Sequence, residues 1–298
     1  MYGLKNKKLT YKNIHFIRNK LKLRGEKMDI LLYILIFIIG TLFGSFFTLA
    51  IYRIPKKQDI THTHSYCPNC NHKLGFLDLI PVFSYIFLRG KCRYCKEKIR
   101  PRYLIIEIFS GIIFLLVAYL MDIRIDNLNY MTLAEGAFMA LYLCFLFIMM
   151  GIDKENRRVE KSVSMYGIIL SIAYIVYLCV VENASIYRYI IYLIFIILIL
   201  ILDTITLKKY AKNSYVHGVI LTATTMAIFT GEYVTINTII MTSLMVAFNL
   251  LLHKIKNIRK RVRIEEKNYG KDIRYGFYLG ISNILNMIFV LAWYKFFI

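Results

Sequence analysis

The sequence predicts an all-α integral membrane protein of about eight transmembrane helices, with a zinc-knuckle loop on the cytoplasmic side between helices 1 and 2. Three observations carry this. Of 298 residues, 58% are hydrophobic and only 19% are charged, with mean hydropathy +0.54, whereas a soluble domain is nearer half apolar and a quarter charged. The apolar residues gather into long runs. Two Cys-x-x-Cys pairs, Cys67-Pro68-Asn69-Cys70 and Cys92-Arg93-Tyr94-Cys95, stand in one basic loop with 21 residues between them.

The apolar runs are approximately 29–51, 104–121, 133–152, 163–181, 186–204, 216–231, 235–252 and 275–297. Most are long enough to cross a hydrocarbon core of about 30 Å as a helix. The run 216–231 is short and carries His217, Thr222, Thr224, Thr225 and Thr230. Polar side chains inside a span face the bundle or a wet cavity. Cys144 and Cys179 lie within apolar runs and read as small buried hydrophobes.

Charge orients the chain. The net charge is +21, from 39 Lys+Arg against 18 Asp+Glu. The loop 52–103 holds eleven cations, 153–162 four, 203–215 three and 253–274 nine. The alternate loops hold Arg124, Arg188 and, around Glu232, none. Cations retained beside spans mark the cytoplasmic side, so the cysteine loop is expected there and both termini outside. The cations serve topology and anionic lipid. Nucleic acid is not expected as a partner, because no basic stripe interleaved with aromatics is present.

The spacing of the two cysteine pairs matches a tetrahedral four-thiolate zinc site formed by Cys67, Cys70, Cys92 and Cys95, with sulfurs within about 4 Å of one another. Lys73, Lys91, Arg93, Lys96 and Lys98 flank the pairs, and nearby cations favour thiolate. Four thiolates leave no open coordination position, so the role would be structural. The competing readings are four reduced structural thiols or a redox pair.

Residues 1–27 carry nine Lys or Arg and one acid, Glu26. On the outer side of the membrane that charge is the wrong sign. Met28 stands directly before the first apolar run, and Arg24-Gly25-Glu26 can be encoded by a purine-rich segment like a bacterial ribosome-binding site. The expectation is that 1–27 is a basic tail mostly not made, and unpacked where present. The organisation then reads as 28–107, a helix plus zinc loop, and 104–298, a helical membrane domain.

The residues from Gly44 to Glu107 resemble the bacterial type IV prepilin leader peptidases, bifunctional membrane aspartic peptidases and amino-methyltransferases. The resemblance rests on Gly44-Ser45-Phe46, Ile51-Tyr52-Arg53-Ile54-Pro55, the first cysteine pair with His72 and Leu74, and Asp78-Leu79-Ile80-Pro81 with Ser84-Tyr85. It continues through Leu88-Arg89-Gly90-Lys91 and the second pair to Ile99, Pro101-Arg102-Tyr103 and Glu107. Thr48 stands where the family usually has Asn. Similarity fades after about residue 120.

The resemblance implies cleavage of the leader of type IV prepilin-like proteins by two aspartates at the cytoplasmic ends of spans. It also implies N-methylation of the new amine from S-adenosylmethionine, in the bacterial cytoplasmic membrane. Two carboxylates sharing one proton can activate water and protonate the leaving amine. Ile152-Asp153 matches the first aspartate, although Glu155 and Val159-Glu160-Lys161 replace the residues that follow it in the family. The second should close a Gly-x-Gly-Asp motif. That position falls on Val216-His217-Gly218-Val219, so Val219 stands in place of the aspartate and Leu221 in place of a lysine. Asp203 and Asp272 lie outside the motif, and His217 is the one nearby substitute acid or base. Asp153 could otherwise be an ordinary interfacial acid. Ile273-Arg274-Tyr275-Gly276-Phe277 resembles a family Ile-Pro-Phe-Gly-Pro element without its prolines.

The leading expectation is a prepilin leader peptidase family protein, proteolytically impaired through Val219. The alternative is a non-catalytic homologue that binds prepilin-like helices or a second, active peptidase. A methyltransferase alone is a third reading. A transporter ranks below these, because no inverted repeat is visible.

Overall fold

In the computed structural model, which describes residues 2–209, 214–259 and 273–297, the chain is helical throughout its long elements. The helices are α1 (Tyr2–Arg53), α2 (Phe83–Phe87), α3 (Arg102–Leu120), α4 (Tyr130–Asn156) and α5 (Lys161–Val180). They continue as α6 (Ile186–Lys209), α7 (Ser214–Thr230), α8 (Glu232–Arg259) and α9 (Tyr275–Phe297). Among the described residues seven are long and apolar enough to cross a membrane, the first of these spans being Lys27–Lys56. The eighth apolar run is the short helix α7 of 17 residues, roughly 26 Å long. Asp272 and the middle of the basic loop after α8 lie outside the described residues, as do the side chains of residues 2–26, on which the expectation of an unpacked tail falls.

The first and second spans form a tight antiparallel hairpin. A Cβ on Gly40 would meet Gly111 Cα at 2.9 Å, and one on Gly44 would meet Ser110 Oγ at 2.1 Å and Glu107 Cα at 2.7 Å. Ser110 Oγ donates to the Gly40 carbonyl at 2.8 Å. Small residues one turn apart let two backbones touch, which drives helix pairing where lipid removes the hydrophobic advantage. This contact aligns α1 and α3 where the cysteine loop leaves and re-enters the bundle.

Helix α4 is the centre of the bundle. Its face Tyr142, Phe145, Leu146, Met149, Ile152 is buried, packed against α1, α5 and α9. Tyr142 stacks on Phe229 at 4.6 Å, which also stacks on Tyr174 at 4.4 Å. Tyr142 donates to Asn283 Oδ1 at 2.7 Å, and Asn283 Nδ2 reaches Thr230 and Thr238 hydroxyls at 3.4 Å. This polar network ties α4, α7, α8 and α9 together in the membrane interior. The threonines of α7 do face the bundle. Thr222, Thr224 and Thr225 are buried, each donating to the carbonyl four residues back. That back-bond satisfies the hydroxyl without a wet cavity. Large apolar side chains on α1, α6 and α8 point outward, as a bilayer solvent requires.

Candidate metal centre and carboxylate site

Two copies of one small fold make up the metal centre. In the first, the Cys67 N–H donates to the His72 carbonyl at 3.0 Å and the Asn71 N–H to the Cys67 carbonyl at 2.8 Å. In the second, the Cys92 N–H donates to the Glu97 carbonyl at 2.8 Å and the Lys96 N–H to the Cys92 carbonyl at 3.1 Å. Antiparallel bridges pair Tyr66 with Lys73 and Lys91 with Lys98. Asn71 (φ 57°) and Lys96 (φ 60°), the residues after each second cysteine, take the left-handed conformation that turns each knuckle back. The four sulfurs of Cys67, Cys70, Cys92 and Cys95 lie within 4.8 Å of one another. Cys67 and Cys95 sulfurs are 3.8 Å apart, the edge length that bonds of about 2.3 Å to one tetrahedral metal require. The full set is slightly wider than the expected 4 Å. These residues fit a metal ion, by donor type, number and convergence. The Glu97 backbone N–H holds the Cys95 thiol down to about 7, with help from the Asn69 amide. Cys70 rises to about 11 despite the His72 backbone, because burial and the neighbouring thiols oppose its charge.

The loop is fastened at several points. Arg53, almost fully buried, donates to the carbonyls of Asp59 at 2.8 Å, Thr63 at 2.9 Å and His64 at 3.0 Å. Its five fixed donors can gather three carbonyls at once. Between the knuckles, Asp78 accepts from Arg93 Nε at 2.5 Å, from the Gly75 N–H at 3.1 Å and from Tyr94 at 3.3 Å. Burial works against the Asp78 charge, yet the Arg93 pairing and the Gly75 amide outweigh it and hold the carboxyl below its ordinary value. Gly90 has φ +65°, and a Cβ there would meet the Tyr85 hydroxyl at 2.9 Å. Only glycine suits that position.

A cavity of about 670 Å³ lies beneath the loop, against Cys67 and Cys92. Its walls include Tyr52, Tyr85, Tyr103, Arg102, Glu107 and Glu155. Arg102 pairs with Glu155 of α4, and Arg158 donates to the Pro55 carbonyl at 2.8 Å. The metal loop and the end of α4 therefore share this chamber. Thr48 also lines it, with its hydroxyl bonded to the Ser45 carbonyl at 2.7 Å.

Asp153, near the C-terminal end of α4, is fully buried. Its Oδ2 accepts the Phe277 N–H at 2.8 Å, and Tyr215 of α7 hydrogen-bonds to the same carboxylate. The Gly276 N–H donates to Tyr215 Oη at 3.3 Å. A carboxylate at the first turn of a helix meets free N–H groups and the positive end of the dipole. Among the described residues Asp153 Oδ1 has no hydrogen-bond partner. Val219 is half-buried against the core, one helical turn beyond Tyr215. Gly218 abuts Val159, whose Cβ is 2.6 Å from where its own would stand. Asp203 and His217 pair with each other at 3.0 Å, and Lys161 approaches Asp203 at 3.4 Å. Sequence reasoning missed Tyr215, the Gly276 and Phe277 amides, the role of Arg53 and the chamber. The element 273–277 had marked the right stretch of chain.

A four-thiol cluster mounted on a glycine-packed helical hairpin, within a multi-spanning bundle, defines a polytopic membrane protein whose loop could hold a metal ion. Residues 38–121 match the bacterial peptidase A24 N-terminal domain. The prepilin leader peptidase/N-methyltransferase of Vibrio cholerae is 36% identical over 108 residues, covering 34% of this chain and 43% of the relative. That of Klebsiella pneumoniae is 29% identical over 136 residues, 44% of this chain and 56% of the relative. That of Myxococcus xanthus is 37% identical over 81 residues, 27% of this chain and 24% of the relative. The chain thus spans roughly half, or less, of the length of these curated relatives. No solved structure matches it.

Proposed function

We propose that this chain is a prepilin leader peptidase family protein of the bacterial cytoplasmic membrane, acting on type IV prepilin-like proteins, with its metal loop in the cytoplasm and its proteolytic step impaired. The observation that supports the reading is the contrast between a complete four-thiol loop and a carboxylate site that, among the described residues, holds one aspartate. Leader cleavage needs one ionised carboxylate to take a proton from water and one protonated carboxyl to give a proton to the leaving amine. Asp153 supplies one carboxylate. At the second position Val219 neither ionises nor hydrogen-bonds. Among the described residues the groups acting on Asp153 are the Phe277 and Gly276 amides, the Tyr215 hydroxyl and the Arg274 charge, and none of them is a second carboxyl. Val219→Asp alone is not expected to restore cleavage, since the flanking glycine and lysine of the motif are also missing.

The metal is zinc in this reading, held structurally by Cys67, Cys70, Cys92 and Cys95. The chamber beneath the loop suits the other cofactor the family implies. Its size falls within the usual range for small-molecule sites. The Tyr52, Tyr85 and Tyr103 rings and the Glu107 and Glu155 carboxylates match a nucleoside bearing a cationic sulfonium. S-adenosylmethionine, when bound, supplies the methyl group. The residues of the chamber orient the incoming amine and exclude water. Because Glu155 lies two residues from Asp153 and also lines the chamber, a newly exposed N-terminus would have a short path between the two sites.

The second reading, a non-catalytic partner of prepilin-like helices or of an active peptidase, is favoured by the full burial of Asp153. Membranes containing only this chain and a prepilin-like substrate, supplied both with its leader and already cut, separate the two. Mass spectrometry of the substrate would show methylation of a pre-cut N-terminus with little or no leader removal in the first case. Neither reaction, with co-purification of substrate, would indicate the second.

A further inference from the structure

The segment between the two knuckles is unusual for a water-facing loop. Phe76 and Leu77 in the 3-10 turn Phe76–Asp78, and Phe83, Ile86 and Phe87 in α2, are all exposed, Phe76 to 81% and Phe87 to 80%. Five large apolar side chains within twelve residues form a contiguous sequence patch, a feature that marks an interaction surface.

The depth of the segment identifies what covers it. Val82, the residue just before α2, donates its N–H to Glu107 Oε2 at 2.7 Å. Glu107 is the sixth residue of α3, a helix of 19 residues that starts at Arg102. At a rise of 1.5 Å per residue the Glu107 backbone lies roughly 7.5 Å along α3 from its first residue, and its side chain leans back toward that end of the helix. Interfacial helices bury their apolar face about 5–10 Å into the headgroup and acyl boundary. On the same spans Phe46, Ile105 and Phe109 are exposed, so lipid-facing side chains flank Glu107 on α3 and Ser45 on α1. The backbone is held at that depth under strain. Val82 has φ 64° and ψ −53°, and the Phe83 N–H donates to the Pro81 carbonyl at 2.6 Å. This is the positive-φ γ-turn, which is rare and strained, and rarer still for a β-branched residue. Such a conformation persists where its surroundings over-determine it, here through Glu107. Just beyond α2, the exposed cations Arg89, Lys91 and Lys96 lie within reach of anionic headgroups.

We propose that Phe76–Phe87 is a bilayer-embedded interfacial segment, its aromatic and aliphatic side chains inserted among the upper acyl chains and its flanking cations on anionic phospholipid. It would hold the metal loop and the chamber beneath it flat on the membrane surface. The proposal rests on the membrane spans and not on the catalytic reading above.

Tryptophan depth measurements test it. The chain has one tryptophan, Trp293. On a Trp293→Phe background, Phe87→Trp and Phe76→Trp each give a single reporter in the full chain. These are reconstituted alone in vesicles of phosphatidylglycerol and brominated phosphatidylcholine. The expected result is blue-shifted emission, quenched several-fold more by lipids brominated near the headgroup than by aqueous acrylamide. Red-shifted emission quenched by acrylamide and indifferent to bromine overturns the proposal. So does a reporter shielded only after a prepilin-like helix is added, which would make the patch a protein-docking surface. The unsubstituted chain gives an independent reading through a photoactivatable phospholipid mapped by mass spectrometry. Adducts on 76–87 support insertion, and adducts confined to the spans contradict it.

Discussion

The cysteine loop and the Asp153 site differ in how fully their polar groups are committed. On the loop side, each motif residue has a distinct task. The cysteines converge, Arg53 collects three carbonyls, Asp78 ties the knuckles together and Glu107 holds Val82. On the carboxylate side, Asp153 has one oxygen capping α9 and the other without a partner among the described residues. A half-satisfied buried carboxylate is costly in a structural role, and under the proposed reading it is what a two-acid site leaves when one acid is replaced.

Breaking the loop side should have the largest effect. Cys92→Ser is expected to reduce bound metal to background and to open residues 54–101 to protease, read by metal analysis and limited proteolysis. Even outer-shell partners of metal ligands are worth about 10–100-fold in affinity, and a ligand itself more. Metal retained at wild-type level would remove the basis for the contrast. Next is Arg53→Ala, which strands three carbonyls and should lower the loop's stability by about 3 kcal/mol. Arg53→Lys should recover little of this, since an ammonium lacks the planar fork. Full rescue by lysine would mean that charge, not geometry, fixes the loop.

Smaller changes probe the carboxylate side. Asp153→Asn keeps an oxygen for the Phe277 N–H and should cost less than about 1 kcal/mol, whereas Asp153→Ala should cost about 1–3 kcal/mol by leaving the α9 amides unpaired. Thermal unfolding in detergent measures both, and equal losses would argue against capping. The smallest effect concerns pH. The Asp78 carboxyl lies below its ordinary value in the folded loop, so its contribution is present above the ordinary carboxylate value of about 3.9 and fades as pH falls below it. Knuckle stability should therefore be insensitive to Asp78→Asn below that range and diminished by it at neutral pH, as hydrogen exchange of the loop amides would show.

The loop side was legible in the sequence because its logic is local. Two residues between cysteines set the knuckle. The helical hairpin was foreshadowed less clearly, since Gly40 and Gly44 acquire meaning only against Ser110 and Gly111. The surroundings of Asp153 were not legible. Its amide donor is 124 residues away, on an element whose changed residues gave only the location. Tyr215 carried no signal, because a tyrosine at the start of an apolar run is an ordinary interfacial residue. The chamber was invisible for the same reason, being assembled from α1, the loop, α3 and the end of α4.

The central claim is that Asp153 no longer works as half of a proton-sharing pair. The most direct test is the rate of leader removal from a prepilin-like substrate by the unsubstituted chain and by Asp153→Asn, each alone in membranes. The account predicts residual rates that are low and indistinguishable. Robust cleavage by the unsubstituted chain, lost on Asp153→Asn, would contradict it and show that a second acid serves the site.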